Sequence, residues 1–379
     1  MPKYRLDEIA INSTEKKKPI EADKDTYIGL EHLDSGCLEV THWGADVAPI
    51  GDKLVMRKGD VLFGRRRAYQ KKVAIAPFDG IFSAHGMVLR PIESVISKEF
   101  FPFFISSDYF LDAAIKISVG SLSPTINWRD LAKLEFQIPS LEEQEAISSI
   151  LWAMNRLKVA YTNLLQQADA LVQSQFVEMF GELGTDNHGW GLTTLGKCCV
   201  LNPTRPRGIS PDLQVSFVAM PSVTEKGEID SSIVKPYSEA SKGFTYFEER
   251  DVLFAKITPC MENGKGCVAT GLTNGIGGGS TEFHVLRPIS GVSNPYWLYC
   301  ISIMPKFRKN ARKVMTGTGG QLRVPISFID SQPITLPPID LQDQFEEFYH
   351  ETDKSKLAIR QALESLEKSR SAIMTKVFG

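Results

Sequence analysis

The residues of this chain that could do the clearest chemistry are five cations within eight positions. They lie in the stretch GRRRAYQKK and are Arg65, Arg66, Arg67, Lys71 and Lys72, with Tyr69 between them. Guanidinium and ammonium groups bind phosphate, and a guanidinium can also distinguish guanine by a pair of hydrogen bonds. A solvated hairpin tip has a similar composition, so the stretch alone leaves both interpretations open.

The whole chain has no excess of positive charge to explain this cluster. Its 379 residues hold 43 Lys and Arg against 45 Asp and Glu, a formal charge of −2. This balance argues against a protein that coats nucleic acid indiscriminately, but it permits a basic face. The six cysteines form no CxxC pair, so we expect free thiols in a cytoplasmic protein and no zinc site. No apolar run reaches the roughly 18 residues that span a bilayer, so we expect no membrane partner.

The elements that position these cations occur twice in the chain. DVLF stands at 60–63 and at 251–254, and VLRP stands at 88–91 and at 285–288. GSL at 120–122 matches GQL at 320–322, IPSLEEQ at 138–144 matches PPIDLQDQ at 337–344, and FG at 180–181 matches FG at 378–379. Matches in one order at a nearly constant offset indicate two copies of one plan within the chain.

Each copy divides into a β-rich part and a helical part. Short apolar runs between Gly and Pro residues predict a mixed α+β domain with a twisted sheet. We therefore expect an α+β fold in which pseudo-two-fold symmetry relates the β-rich domains at 1–138 and 182–338. Each domain is followed by a long spacer helix, at 139–181 and at 339–379.

The helical parts carry a heptad pattern that predicts a coiled coil. The first stripe is Ile150, Met154, Leu157, Tyr161, Leu164, Ala168 and Leu171, and the second is Leu341, Phe345, Phe348, Ile359, Leu363, Leu366, Ile373 and Val377. Ser140 and Asp340 are predicted N-caps, with Glu143 and Asp343 three positions later. One such stripe is also typical of a helix packed on its own domain, but two at equivalent positions favour an antiparallel pair that separates the two domains.

Enzymatic chemistry finds little support in the sequence. A DNA methyltransferase would need a glycine-rich cofactor loop and an Asn/Asp-Pro-Pro-aromatic motif, but the sequence has no such loop and Asn202-Pro203 lacks the second proline. The sequence also has no Walker A lysine loop and no nuclease ExK motif. Pro259-Cys260 is better explained as a turn than as a nucleophile. We expect no catalytic residue, no metal ligand and no cofactor bound by this chain.

The motifs in this order resemble the specificity subunit of type I restriction–modification systems. They are GDVLFGRRRA, SAHGMVLRP and IPSLEEQEAI in the first half, and DVLFAKITPCMENGKG, GSTEFHVLRP, GTGGQLRVP and LPPIDLQDQ in the second. The resemblance covers essentially the whole chain. It implies two target-recognition domains that each read half of a bipartite double-stranded DNA site. It also implies two methyltransferase subunits bound at the helices and restriction subunits bound through them, with S-adenosylmethionine, ATP and Mg used by those partners.

Candidate DNA-contacting residues follow from charge and hydrogen-bonding capacity, either in the loop after the shared strand or in Gly-rich loops. The glycines at 277–279 are interpreted either as a flexible turn or as a close backbone approach to DNA. His85, His284, Arg90 and Arg287 are expected to be structural. Besides the six residues at 65–72, the candidates are Ser121, Ser123, Thr125, Lys256, Thr258, Asn263, Lys265, Ser280, Thr316, Thr318, Gln321 and Arg323.

The helices are expected to bind protein rather than DNA because they are acidic. The first holds two cations and five carboxylates, and the second holds six and eight. One seam cannot bury all of Phe176, Met179 and Phe180. They are predicted partner contacts, together with Phe345, Phe348 and Phe378. The alternative function is a scaffold whose paired domains bind other proteins without DNA specificity.

Overall fold

The computed structural model describes residues 1–378 and divides the chain into two compact units. The first unit combines residues 1–162 with the last part of the chain from Gln361, and the second comprises residues 163–360. Gly379, with which the predicted 339–379 segment ends, lies outside the described residues. Each unit contains part of both long helices, Leu141–Phe180 and Ile339–Phe378.

The first unit is built on two four-stranded sheets. One is antiparallel, and its strands in spatial order are Ala10–Ser13, Met87–Pro91, Val61–Phe63 and Val73–Ile75. The other is mixed, with the order Lys16–Lys17, Lys53–Met56, Gly80–Phe82 and Tyr27–Ile28, the last two being parallel. A further antiparallel pair joins Lys3–Arg5 to Glu135–Gln137.

The second unit repeats this plan with two differences, the place of one edge strand and an additional strand pair. Its antiparallel sheet has the order Cys199–Leu201, Phe283–Pro288, Val252–Ala255 and Gly266–Val268. Its mixed sheet has the order Val234–Pro236, Gln214–Val218, Ile276–Gly279 and Thr245–Glu248, so its extra edge strand joins the opposite side from that in the first unit. Leu192–Thr194 pairs with Pro333–Thr335, and Thr316–Thr318 pairs with Gln321–Arg323.

Short helices complete each unit. Those of the first are Leu6–Ile9, Phe101–Ile105, Asp108–Lys116 and Trp128–Leu131. Those of the second are Leu195–Cys198, Tyr237–Ser241, Pro295–Ile303, Pro305–Lys313 and Ile326–Ser331. Across residues 1–378, no helix has the length and apolar character needed to cross a membrane.

The shared DVLF strand is buried on both faces, which explains its continuous apolar sequence. In the first unit Val61 and Phe63 enter the core beneath the helices, whereas Leu62 faces the core between the sheets. In the second unit Val252 and Phe254 take the first role and Leu253 takes the second. Because no face of this strand is solvated, its sequence has little freedom to vary between the copies.

Both long helices begin at equivalent positions, but their caps differ. The Ser140 hydroxyl accepts from the Glu143 N–H (3.4 Å), and the Glu143 carboxylate accepts from the Ser140 N–H (2.9 Å), which confirms the predicted capping box. The prediction that Asp340 is an N-cap is wrong, because the second helix begins at Ile339 and Pro338 stands in the place of Ser140. Asp343 instead accepts from the Asn294 side-chain amide (2.8 Å).

The predicted heptad seam is correct for the second helix and wrong for half of the first. Ile359, Leu363, Leu366, Ile373 and Val377 are partly buried, and Phe345 is fully buried. In the first helix the inward positions are instead shifted, with Leu151, Val172 and Phe176 buried. Ile150, Leu157, Leu164 and Leu171 are each 46–52% exposed. Gln144, Ser148 and Leu151 turn toward the first unit's globular part, which moves the buried stripe round the helix.

The two helices pack on each other within each unit. In the second unit Lys356 contacts Asp169 at 3.0 Å, and the rings of Phe176 and Phe345 lie 5.3 Å apart. Later residues of the first helix thus meet earlier residues of the second, so the segments are antiparallel there. In the first unit Lys158 pairs with Glu367 at 2.7 Å.

Candidate nucleic-acid interface

The 65–72 loop, which connects the strands Val61–Phe63 and Val73–Ile75, is an ordered turn. Arg67 (φ 55°) and Lys71 (φ 49°) adopt left-handed backbone conformations on either side of the short 3-10 helix Ala68–Gln70. Ala68 is buried and anchors the loop to the core. The flanking strands are antiparallel, so the loop is a hairpin connection whose backbone is fixed rather than free.

A second segment, the 119–125 loop, is tied to the first. Its ends are joined by two backbone hydrogen bonds between Val119 and Thr125, of 3.0 and 2.9 Å. The Arg67 N–H donates to the Pro124 carbonyl (2.8 Å), and the Ile126 N–H donates to the Arg65 carbonyl (3.0 Å). The two loops therefore present one surface, which places Ser121, Ser123 and Thr125 beside the arginines. Ser121 is exposed, whereas Ser123 and Thr125 are half-buried.

Only some of the predicted cations of the 65–72 loop remain available. Lys71 contacts Asp108 (2.6 Å) and Asp112 (3.0 Å), and the Lys72 ammonium donates to the Leu30 carbonyl (2.6 Å). Arg65 is half-buried and donates to the Ala84 carbonyl (3.1 Å). These three residues are better explained as supports of the loop than as contacts to a ligand.

Arg66, Arg67 and Tyr69 are the exposed members of the loop. Arg66 Nε donates to the Ser123 hydroxyl (2.9 Å), which aims its guanidinium along the 119–125 loop. Among residues 1–378, no carboxylate forms an ion pair with Arg66 or Arg67. Tyr69 is 55% exposed. An anion approaching this surface thus meets two guanidinium groups whose charge is not already neutralised.

His85 lies close to the positive charges of this surface. Its ring lies 3.4 Å from an Arg66 terminal nitrogen. Partial burial, followed by the positive charges of Arg66, Arg65 and Lys53, lowers the pKa of His85 below its ordinary value. The imidazole is therefore held neutral near pH 7. The sequence predicts a structural role for His85. In the structure its ring is exposed and lies at the edge of the candidate interface.

The equivalent surface in the second unit is less basic than predicted. Arg323 forms a paired contact with the Glu282 carboxylate, at 2.9 and 2.8 Å, and is thereby neutralised. Lys256 is half-buried, and burial lowers its pKa. The Thr258 hydroxyl donates to the Gly320 carbonyl (3.0 Å) and accepts from the Leu322 N–H (3.0 Å), so it fixes the hairpin rather than facing a ligand.

Among the predicted DNA-contacting residues of the second unit, those that stay exposed are mostly neutral hydrogen-bonding side chains. The glycines at 277–279 are neither a flexible turn nor an approach to DNA, because they form a central strand where a Cβ at Gly278 would lie 2.2 Å from the Ala240 carbonyl. Ser280 follows them, half-buried, and its hydroxyl accepts from the Glu282 N–H (3.2 Å). The candidates that remain exposed or half-exposed are Asn263, Lys265, Thr316, Thr318 and Gln321.

The basic side chains of the second unit's Pro305–Lys313 helix are also partly internal. Arg308 is buried and donates to the carbonyls of Ser302 (2.6 Å) and Met261 (2.7 Å). Burial lowers its pKa to about 10. Arg312 pairs with Glu262 at 3.1 Å. Lys306, Lys309 and Lys313 of this helix are exposed, so the helix keeps part of its basic character.

The predicted structural residues are confirmed by their contacts. Arg90 forms a paired contact with Asp60, and Arg287 does so with Asp251, at 2.8–2.9 Å. His284 Nε2 lies 2.8 Å from the Val324 carbonyl and must donate to it, so Nδ1 accepts from the Asn202 amide (3.3 Å). Burial lowers the pKa of His284. This residue links its strand to the segment that follows the hairpin.

The aromatic residues predicted to contact partners are core residues instead. Phe176, Phe180 and Phe345 are at most 4% exposed and pack edge to face on one another. Met179 and Phe348 pack against the same core, and Phe378 packs on Phe100, Phe104 and Tyr109 of the first unit. The prediction was wrong because each helix end buries its aromatics in its own unit as well as against the other helix.

The exposed apolar residues of the first long helix form a different face. Ile150, Leu157, Leu164 and Leu171 recur every seven residues, so they follow one side of the helix. We refer to these four residues as the leucine stripe. The heptad spacing predicts this stripe but places it in the inner seam, whereas in the structure it is exposed.

Two α+β units of repeated design, each with a share of two long helices, define a class of two-domain protein with an internal repeat. Residues 3–168 match the family model described as Type I restriction modification DNA specificity domain. This part of the chain is therefore similar to the type I restriction–modification specificity subunits.

Two known specificity subunits match part of this chain. The chain is 40% identical over 158 residues to the Type I restriction enzyme EcoAI specificity subunit of Escherichia coli and 39% identical over 152 residues to the EcoEI specificity subunit of the same organism. These matches cover 41% and 40% of this chain but only 26% and 25% of those relatives.

Solved structures resemble the whole fold. One is described as the structural basis of complex assembly and conformational transition of the type I R-M system. The alignment covers 100% of this chain and 97% of that chain, with a TM-score of 0.57 and 19% identity. The type I system S subunit from M. genitalium covers 100% and 96%, with a TM-score of 0.55 and 13% identity. At these identities the likeness concerns the fold.

Proposed function

We propose that this chain reads a bipartite double-stranded DNA site and directs type I methyltransferase and restriction subunits to it. The first unit reads one half-site and the second unit reads the other. The observation that carries the proposal is the joined surface of the 65–72 and 119–125 loops, on which Arg66 and Arg67 have no neutralising carboxylate among the described residues. This surface lies within the segment that matches the DNA specificity domain.

The two units contribute differently to recognition. The first offers guanidinium groups, which bind phosphates and distinguish guanine. The second offers Asn263 and Gln321, whose amides suit adenine, together with Thr316, Thr318 and Lys265. A recognition surface made of neutral donors gains less from counterion release, so the first unit supplies more of the salt-dependent affinity.

The catalytic steps belong to partner subunits in this proposal. Two methyltransferase subunits transfer the methyl group of S-adenosylmethionine to an adenine in each half-site, and restriction subunits that use ATP and Mg join through them. The leucine stripe is the surface proposed for the methyltransferase subunits. It is apolar, half-exposed and set on a helix with two cations and five carboxylates, which suits a protein rather than DNA.

The proposal is tested by DNA binding of the assembled complex at several salt concentrations. The double variant Arg66→Ala, Arg67→Ala should bind the target at least tenfold more weakly and should reduce the slope of log affinity against log salt by about two. The control is Arg57→Ala, at the opposite end of the strand Val61–Phe63 and paired with Glu15 at 3.3 Å. Equal binding by all variants would contradict the proposal and favour a protein scaffold.

A second experiment addresses the division of labour between the units. Residues 1–138 are replaced by the corresponding segment of another specificity subunit, and the methylated sites are determined by sequencing genomic DNA from cells that express the complex. We expect one half of the methylated sequence to change and the other half to persist. An unchanged methylated sequence would rule out the first unit as a reader.

A further inference from the structure

Leu122 is an apolar side chain held out in solvent by an ordered loop. It is 94% exposed and lies at the tip of the 119–125 loop, between Ser121 and Ser123. Val119, at the base of the same loop, is 68% exposed. A leucine that stays in water forgoes the free energy that burial of its side chain would provide. The tip is therefore well suited to burying this side chain against a ligand.

The loop is built to hold this tip in place. Two backbone hydrogen bonds close it at Val119 and Thr125, and Gly120 adopts a φ of +116° at the start of the turn. The Ser123 hydroxyl, next to Leu122, accepts from Arg66 Nε (2.9 Å). Leu122 thus protrudes beside the guanidinium groups that are proposed to meet DNA, and its position is coupled to theirs.

We propose that Leu122 is a specificity-determining residue that contacts the 5-methyl group of a thymine in the first half-site. This inference rests on the proposed function, because it needs DNA at the surface of Arg66 and Arg67. A closed two-stranded loop fits a major groove about 12 Å wide but not a minor groove about 6 Å wide. In the major groove, the thymine methyl is the apolar group that an aliphatic side chain can recognise.

The second unit lacks an equivalent protruding side chain. Leu322, which aligns with Leu122, lies in the strand Gln321–Arg323, is 36% exposed and has both backbone groups bonded to Thr258. The turn of that hairpin is Gly319 and Gly320, with φ values of +63° and +79°. The thymine contact is therefore assigned to the first unit alone, and Leu322 provides a matched control.

The experiment measures whether the effect of one thymine methyl group on DNA affinity depends on the side chain at position 122. Once the methylated site is known, each thymine of the half-site read by the first unit is replaced singly by deoxyuridine, which removes only the methyl. Affinity of the assembled complex is measured for the wild type, Leu122→Ala and Leu322→Ala. We expect one deoxyuridine to weaken wild-type binding about fourfold, the value for one buried methyl group. The same deoxyuridine should have no effect on Leu122→Ala and the full effect on Leu322→Ala.

The outcomes separate this inference from the function on which it rests. If no deoxyuridine affects the wild type, or if its effect persists in Leu122→Ala, the thymine contact is overturned. A half-site without thymine overturns it as well. In each case a loss of binding by the Arg66→Ala, Arg67→Ala variant would still support the proposed function. Because Leu122 is almost fully exposed, Leu122→Ala should unfold at the wild-type temperature, which shows that the variant is folded.

Discussion

Gln144 and Gln342 make the same three hydrogen bonds in the two halves of the chain. Each side-chain amide donates to two carbonyls, Val95 and Pro139 for Gln144, and Val292 and Pro337 for Gln342, at 2.9–3.0 Å. Each also accepts one backbone N–H, from Ser97 or Asn294, at 2.7–2.8 Å. Both glutamines are completely buried, so they fasten the start of each long helix to the domain before it.

This relationship corrects the alignment of the repeat and gives a stability prediction. The glutamine equivalent to Gln144 is Gln342, not the exposed Gln344 with which the motif was aligned. Gln342→Leu leaves one buried N–H and two carbonyls without partners, so it should lower the free energy of unfolding by about 3 kcal/mol. Gln344→Leu should change it by less than about 0.5 kcal/mol. Denaturant unfolding of the full chain measures both variants, and equal effects would contradict the assigned equivalence.

We predict that the Arg287–Asp251 pair contributes more to the free energy of unfolding than an exposed ion pair of the same unit. Arg287→Met leaves the buried Asp251 carboxylate without its cation and should cost about 3 kcal/mol. Arg312→Met removes the exposed pair with Glu262 and should cost less than about 1 kcal/mol. Burial raises the pKa of Asp251. The loss in Arg287→Met should therefore be smaller at pH 5, where the unpaired carboxyl can protonate, and a larger loss there would argue against this explanation.

His284 predicts a pH dependence of stability. Because burial lowers its pKa in the folded chain, the unfolded chain binds the proton more readily. As the pH falls below about 6.5, the ordinary value for histidine, the free energy of unfolding should decrease until the folded-state pKa is also passed. Protonation of His284 Nδ1 would also remove the hydrogen bond that Nδ1 accepts from the Asn202 amide. Unfolding curves from pH 8 to pH 5 should show this decrease in the wild type and a weaker one in His284→Gln, and parallel curves would contradict the assignment.

The proposed role of the leucine stripe predicts that substitutions in it weaken assembly with methyltransferase subunits. Leu157→Gln together with Leu164→Gln should weaken binding of methyltransferase subunits at least tenfold, because two apolar side chains lose their contact area. Arg156→Ala and Asn163→Ala are the controls, since each exposed residue lies about 100° round the helix from its neighbour in the stripe. Sedimentation or gel filtration measures assembly. Retained assembly by the double glutamine variant would place the partner surface elsewhere.

The sequence by itself determined the repeat, the α+β character of the units and the two long helices. These features depend on local rules: DVLF is apolar throughout because its strand is buried on both faces, and the stretch from Ser140 to Phe180 contains neither Gly nor Pro. The capping box at Ser140 and Glu143 is equally local, because both partners lie within one helical turn. The structural roles of Arg90 and Arg287 followed from their repeated place beside buried strands.

Tertiary structure decided which polar and apolar residues remain available. Lys71, Lys72 and Arg323 resemble Arg66 and Arg67 in sequence, but their partners Asp108, Leu30 and Glu282 come from distant segments. The same holds for Phe176 and Phe180, whose burial depends on Phe345, and for the leucine stripe, which faces outward because Leu151 and Val172 face inward. Heptad spacing defines a stripe, whereas the contacts that select its buried side arise only when distant parts of the chain fold together.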